Sequence, residues 1–127
     1  MYPGKTAAKD PARAAIVMAG TGETITYGEL EARSNRLAHL LRKQGLKRLD
    51  HYSIFMENHP RYVEACSAGD RAGLYYTCVN SFLTVEELAY ILQNSQSKVL
   101  VTSQAKREVA LAAMQLCTRV ELCVVVD

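Results

Sequence analysis

Alternation predicts the fold class: an α/β protein whose mainly parallel sheet has helices packed on it, preceded by an N-terminal β-hairpin. Three observations carry that expectation. From Tyr52 onward, short β-branched and aromatic runs take turns with segments of helical period. The pattern T-x-x-E stands twice just ahead of such a segment, at Thr26/Glu29 and at Thr84/Glu87. The run Val124, Val125, Val126 has the continuous apolar character of a strand covered on both faces.

Each element follows in order. "AAIVMAG" and "ETITY" read as two strands around Gly20-Thr21-Gly22, a hairpin signal. A helix begins after Thr26, whose hydroxyl can cap it while Glu29 completes the capping box. Tyr27, Leu30, Leu37 and Leu41 share one face, with Arg33, Arg36 and Lys43 turned elsewhere, and Gly45 supplies a left-handed stop. "HYSIFME" is a strand. "NHPRYVEACSAGDRAG" is a helix with Asn58 as its expected cap and Pro60 in its first turn. "GLYYTCVN" is the next strand, and the second capping box opens a helix with Val85, Leu88 and Leu92 on one side. "KVLVTS", "QAKREVALAAMQLC" and "ELCVVVD" complete the series as strand, helix and strand.

Composition excludes several function classes. At 127 residues the chain is one domain or part of one, with enough length to bury a core. A formal net charge of +2, with Lys and Arg scattered, gives no footprint for nucleic acid. No apolar run approaches the roughly 20 residues that span a bilayer, and "MYPGKTAAKDPARAA" lacks the apolar centre of a signal peptide. A cytoplasmic setting is the expectation. Cys66, Cys78, Cys117 and Cys123 form no C-x-x-C pair and have no histidine at ligand spacing, so all four read as small buried hydrophobes.

Spacing alone yields no active site. "AGTGET" lacks the Lys of a phosphate loop and is followed by a strand, and a third glycine is missing for G-x-G-x-x-G because Ile25 stands there. His39, His51 and His59 have no orienting partner that spacing reveals. No G-x-S-x-G elbow exists. Glu86-Glu87 is the adjacent carboxylate pair, but neighbours on a helix diverge and Glu87 already serves a cap. No catalytic, cofactor-binding or metal residue is assigned.

The ordered set of segments resembles the opening of the adenylate-forming enzymes: acyl-CoA synthetases, luciferases and peptide-synthetase adenylation domains. "TITYGELEARSNRLAHLLRKQGL" is similar to that family's T-Y-x-E-L followed by L-A-x-x-L-x-x-x-G, matched by Thr26, Tyr27, Glu29, Leu30, Leu37, Ala38, Leu41 and Gly45. Asn58, Pro60, Ala72-Gly73, Asn80, Thr84, Glu87, Leu88, Ile91, Leu92 and Lys98 through Thr102 continue the likeness. Two positions depart from it: Leu49-Asp50 where Gly-Asp is usual before the second strand, and Cys78 where a proline often precedes the Asn or Asp. "CVNSFLTVEELAYIL" is closer to fatty-acid–CoA ligases than to the P-L-D-P-x-Y-P of peptide synthetases.

The resemblance implies that residues 1–127 are the N-terminal portion of the large N-terminal, AMP-binding domain of such an enzyme. The full enzyme would join a fatty acid to ATP, using magnesium, and pass the acyl group to CoA. The phosphate loop ending in Pro-Lys, the acidic motif near adenine and magnesium, the ribose Asp and the C-terminal domain with its catalytic Lys have no counterpart in these residues. The expectation is therefore a fragment that is inactive alone, binds no cofactor of its own, and self-associates through uncovered strand edges. A fatty-acyl-AMP ligase, a peptide-synthetase domain and a freestanding non-catalytic α/β binding module are the alternatives.

Overall fold

The computed structural model describes residues 2–127. A short helix, α1 (Gly4–Lys9), precedes the hairpin of β1 (Ala14–Val17) and β2 (Thr24–Thr26). Then come α2 (Tyr27–Lys43), β3 (His51–Phe55), α3 (Tyr62–Ala72), β4 (Tyr75–Val79), α4 (Val85–Asn94), β5 (Val99–Ser103), α5 (Arg107–Leu116) and β6 (Leu122–Val126). No sequence pattern announces helix α1: it is six residues long, without a side-chain cap or a periodic apolar face to betray it.

Both capping boxes form as the sequence predicts. Thr26 Oγ1 accepts from the Glu29 N–H at 3.2 Å, and the Glu29 carboxylate accepts from the Thr26 N–H at 2.9 Å. Thr84 and Glu87 repeat the exchange at 3.3 and 2.9 Å. Gly45, at φ +94°, ends α2: its N–H donates to Arg42 O and the Leu46 N–H to Leu41 O, the paired bonds of a Schellman stop. Leu46 then enters the core.

Helix α3 departs from expectation. It begins at Tyr62, with Arg61 at the cap position and no side-chain cap, so Asn58 does not cap it and Pro60 lies ahead of its first turn. His59 does the local work instead. Its Nδ1 accepts from the Arg61 N–H at 3.1 Å and its carbonyl from the Tyr62 N–H at 3.0 Å. The segment after Ser103 also starts later than a continuous helix would, through a 3₁₀ turn over Gln104–Lys106.

The main sheet has the order β4-β3-β5-β6 and every pairing is parallel. Connections between parallel strands are right-handed, so a reversal of direction across the sheet moves the connecting helix to the opposite face. The chain steps from β3 to β4 over α3, then jumps back past β3 to β5 under α4. Helices α2 and α3 therefore cover one face, where Tyr52, Ile54, Met56, Val99 and Val101 pack with Leu37, Leu41 and Ala68. Helices α4 and α5 cover the other, where Phe55, Leu100 and Val79 pack with Leu88, Leu92, Ala110 and Ala113. Each large side chain so buried contributes about 1.5–3 kcal/mol. Gly69 lets α3 approach closely, since a Cβ there would stand 2.5 Å from the Tyr52 hydroxyl.

β6 corrects a second expectation. Val124, Val125 and Val126 are half-buried, because β6 pairs with β5 along one side only among the described strands. The cysteines correct a third: Cys117 is buried, Cys66 and Cys123 are half-buried, and Cys78 is exposed on the edge strand β4.

These local structures make two predictions. Thr26→Ala or Thr84→Ala should each cost about 1 kcal/mol in urea melts; unchanged midpoints would remove the caps from the account. Leu49 has φ +73° and a half-exposed side chain, at the position where the adenylate-forming pattern carries glycine. A left-handed non-glycine residue costs about 1–2 kcal/mol, and glycine loses roughly half of that gain to unfolded-chain entropy. Leu49→Gly should therefore stabilise the protein by about 0.5–1 kcal/mol, and a lowered midpoint would contradict the strain.

Candidate functional site

In an open parallel sheet the place for a ligand is the crevice at the carboxyl ends of the strands, where the strand order reverses. Here that point lies between β3 and β5. The chain leaving β3 carries Met56, Glu57, Asn58 and His59 across it; the chain leaving β5 carries Ser103 and Lys106. The two are joined there. Thr102 Oγ1 donates to the Phe55 carbonyl at 2.6 Å, and Ser103 Oγ donates to Glu57 Oε2 at 2.6 Å.

The electrostatics of Glu57 reflect that meeting. Partial burial pushes its carboxyl up, but the Ser103 hydroxyl, its own backbone N–H and the nearby His59 and Lys106 side chains together hold it below the usual carboxylate range. Glu57 is thus an ionised acceptor at neutral pH. His59 uses Nδ1 as an acceptor from Arg61, which leaves Nε2 as the ring nitrogen outside that bond. The Lys106 ammonium stands 5.2 Å over the exposed Phe82 ring. Arg61 reaches Glu64 at 3.3 Å and Asp127 at 3.8 Å, tying α3 to the end of β6.

This rim offers a fixed anion, a cation, an imidazole and hydroxyls. It can orient polar groups of a ligand. No nucleophile is assigned to it, because Ser103 donates its hydrogen bond to a Glu57 carboxylate held below the usual carboxylate range, a weak base for a hydroxyl. The concavities differ in place. One of about 480 Å³ opens on α4 beside Leu83, Tyr90 and Ile91, one of about 320 Å³ lies just past Ser103 along Gln104, Arg107 and Leu111, and one of about 290 Å³ lies between α1, β1, α2 and α3. Topology and converging polar groups favour the rim, where side chains from the ends of β3 and β5 meet.

The candidates that spacing discounts stay apart in the fold. Gly20 and Gly22 sit in the exposed hairpin turn, His39 is exposed on α2, and His51 stacks on Tyr75 at 5.0 Å. Glu87 is held by Thr84. Spacing does not single out Glu57 or Ser103; the signal that finds them is a polar residue at the carboxyl end of each of two apolar parallel strands. Among the described residues no three His, Cys, Asp or Glu side chains converge as a metal-ligand group. No helix among them is long and apolar enough to cross a membrane.

Glu57 gives a pH prediction. As pH falls, the unfolded chain takes up the Glu57 proton first, near about 4.3, and the folded chain later. Its contribution to stability is complete above that value and fades as pH drops through the folded one. The stability gap between the natural protein and Glu57→Gln, read from urea melts, should be larger at neutral pH than at about pH 3. An equal gap at both would contradict the ionised acceptor.

Comparison with known proteins agrees with this architecture. The family model described as AMP-binding enzyme matches residues 4–127. Human long-chain fatty acid transport protein 1 is 38% identical over 93 residues, 73% of this chain and 14% of that protein. A feruloyl-CoA synthase of Amycolatopsis is 35% identical over 117 residues, 91% of this chain and 23% of that protein. In fold, the Mycobacterium tuberculosis fatty acyl CoA synthetase aligns with a TM-score of 0.86 at 23% identity, over 98% of this chain and 26% of that one. The chain thus spans less than a quarter of the length of these curated relatives. With the doubly wound sheet, both capping boxes and the family match in agreement, the chain belongs to the AMP-binding enzyme family.

Proposed function

We propose that residues 1–127 form the N-terminal portion of the AMP-binding domain of an ATP-dependent fatty-acid–CoA ligase. In the whole enzyme a fatty-acid carboxylate oxygen attacks the α-phosphorus of ATP and pyrophosphate leaves. The CoA sulfur then attacks the acyl-adenylate carbonyl carbon, a thioester forms, and AMP departs with the carbonyl's former oxygen partner. The observation that carries the reading is the family match along residues 4–127, joined to the kinship with a long-chain fatty acid transport protein.

The contribution of this chain is scaffold and rim. Adenylyl transfer is accelerated by donors, cations and metal ligands placed around the phosphates. Glu57, His59, Ser103 and Lys106 are positioned to orient a ligand's polar groups at the mouth of β3 and β5, and no step of phosphate chemistry is assigned to them.

ATP–pyrophosphate exchange across a panel of fatty acids tests this directly. The 127-residue chain should give background exchange, and a longer product of the same gene should give carboxylate-dependent exchange. Clear exchange by the chain alone would overturn the scaffold assignment. Absence of exchange from the longer product with every fatty acid would overturn the ligase reading.

A further inference from the structure

Cys66 and Cys78 lie apart from the rim. Cys66 belongs to α3 and Cys78 to β4, and the turn between them brings the two sulfurs to 4.0 Å. That is contact distance, so a bond of about 2 Å between them asks for a movement of only about 2 Å. Neither sulfur is a fully buried packing atom, in contrast to Cys117. Cys78 is exposed and Cys66 sits behind it, half-buried beside Tyr62 and Tyr76.

We propose that Cys66 and Cys78 are a redox modification site, closing to a reversible disulfide when the protein meets a hydroperoxide. Exposure decides the order of events. Burial, with the nearby Cys78 charge second, pushes the Cys66 thiol up to about 12, so Cys66 stays protonated at neutral pH. Cys78 meets the oxidant first. Its thiolate sulfur attacks a peroxide oxygen, an S–O bond forms as the O–O bond breaks, and the departing oxygen takes up a proton as water or alcohol. Cys78 is now a neutral sulfenic acid, and its repulsion of a Cys66 thiolate is gone. The Cys66 sulfur attacks the Cys78 sulfur, the S–O bond breaks, and the hydroxyl leaves with the Cys66 proton as water. Two electrons pass from the two sulfurs to the peroxide. The bond pins α3 to the edge strand β4, and dithiols reverse it. Disulfides in reducing compartments are ordinarily transient and redox-sensing, which is the class this one joins.

The test uses the 127-residue chain with hydrogen peroxide, read by intact mass, peptide mapping and thermal melts. The expected result is a loss of about 2 Da with one Cys66–Cys78 cross-link, a raised melting temperature, and full reversal by dithiothreitol. Cys66→Ser should instead leave a dimedone-reactive sulfenic acid on Cys78. The double variant Cys117→Ser, Cys123→Ser should keep the cross-link, which separates the proposal from a general oxidation of thiols. Cross-links that use Cys117 or Cys123, bonds between chains in place of the internal one, or progression of Cys78 to sulfonic acid with Cys66 still free would each overturn it.

Discussion

The parallel pairing of β3 with β5 is the contact on which the rest of the molecule depends. These strands are not neighbours in sequence, since β4 and two helices intervene. Tyr52 faces Val99, Ile54 faces Val101 and Phe55 faces Thr102 in one unbroken register. Because side chains alternate along a strand, that register sends Ile54 and Val101 into the α2–α3 layer and Phe55 and Leu100 into the α4–α5 layer. A slip by one residue would exchange the two sets. The same pairing reverses the strand order, and so creates the crevice where Glu57 and Ser103 meet. Core and candidate site share one cause.

Two polar devices secure the opposite end of that pair. Asp50 accepts from the Lys47 N–H at 2.8 Å and from the Lys98 ammonium at 2.9 Å, holding the entrances of β3 and β5 together. Ser53 and Ser97 share a buried hydrogen bond of 2.6 Å one step inside. On the α2–α3 face, Arg71 reaches across to Glu31 and Ser34 and stacks over Tyr2 at 5.0 Å, which fastens α1 to the layer beneath. The strained Leu49 is tolerated because its N–H bonds Gly73 O at 2.8 Å and the Asp50 contacts hold the turn on its other side.

Much of this was legible in the sequence. T-x-x-E before an apolar period announced α2 and α4, Gly45 announced the stop of α2, and alternation of strand and helix announced a parallel sheet. What escaped has physical reasons. Helix α1 is too short to show a period. The start of α3 is set by the His59 ring and carbonyl, a local solution that favoured-cap statistics for Asn58 do not contain. Three valines in a row read as doubly covered, yet strand position in the sheet, which no local pattern encodes, left β6 on the rim of the layer. Glu57 and Ser103 are ordinary residues in sequence; only the β3–β5 pairing makes them neighbours. Resemblance carried the family, whereas spacing alone gave an α/β unit.

The claim that β3–β5 pairing is the organising constraint is tested most directly by native-state amide hydrogen exchange, resolved by residue. Amides of the central strands, Tyr52–Phe55 and Val99–Thr102, should exchange slowest and only through global unfolding, with β6 and the β1–β2 hairpin opening at lower cost. Protection on the hairpin or on β6 equal to that on β3 and β5 would contradict it.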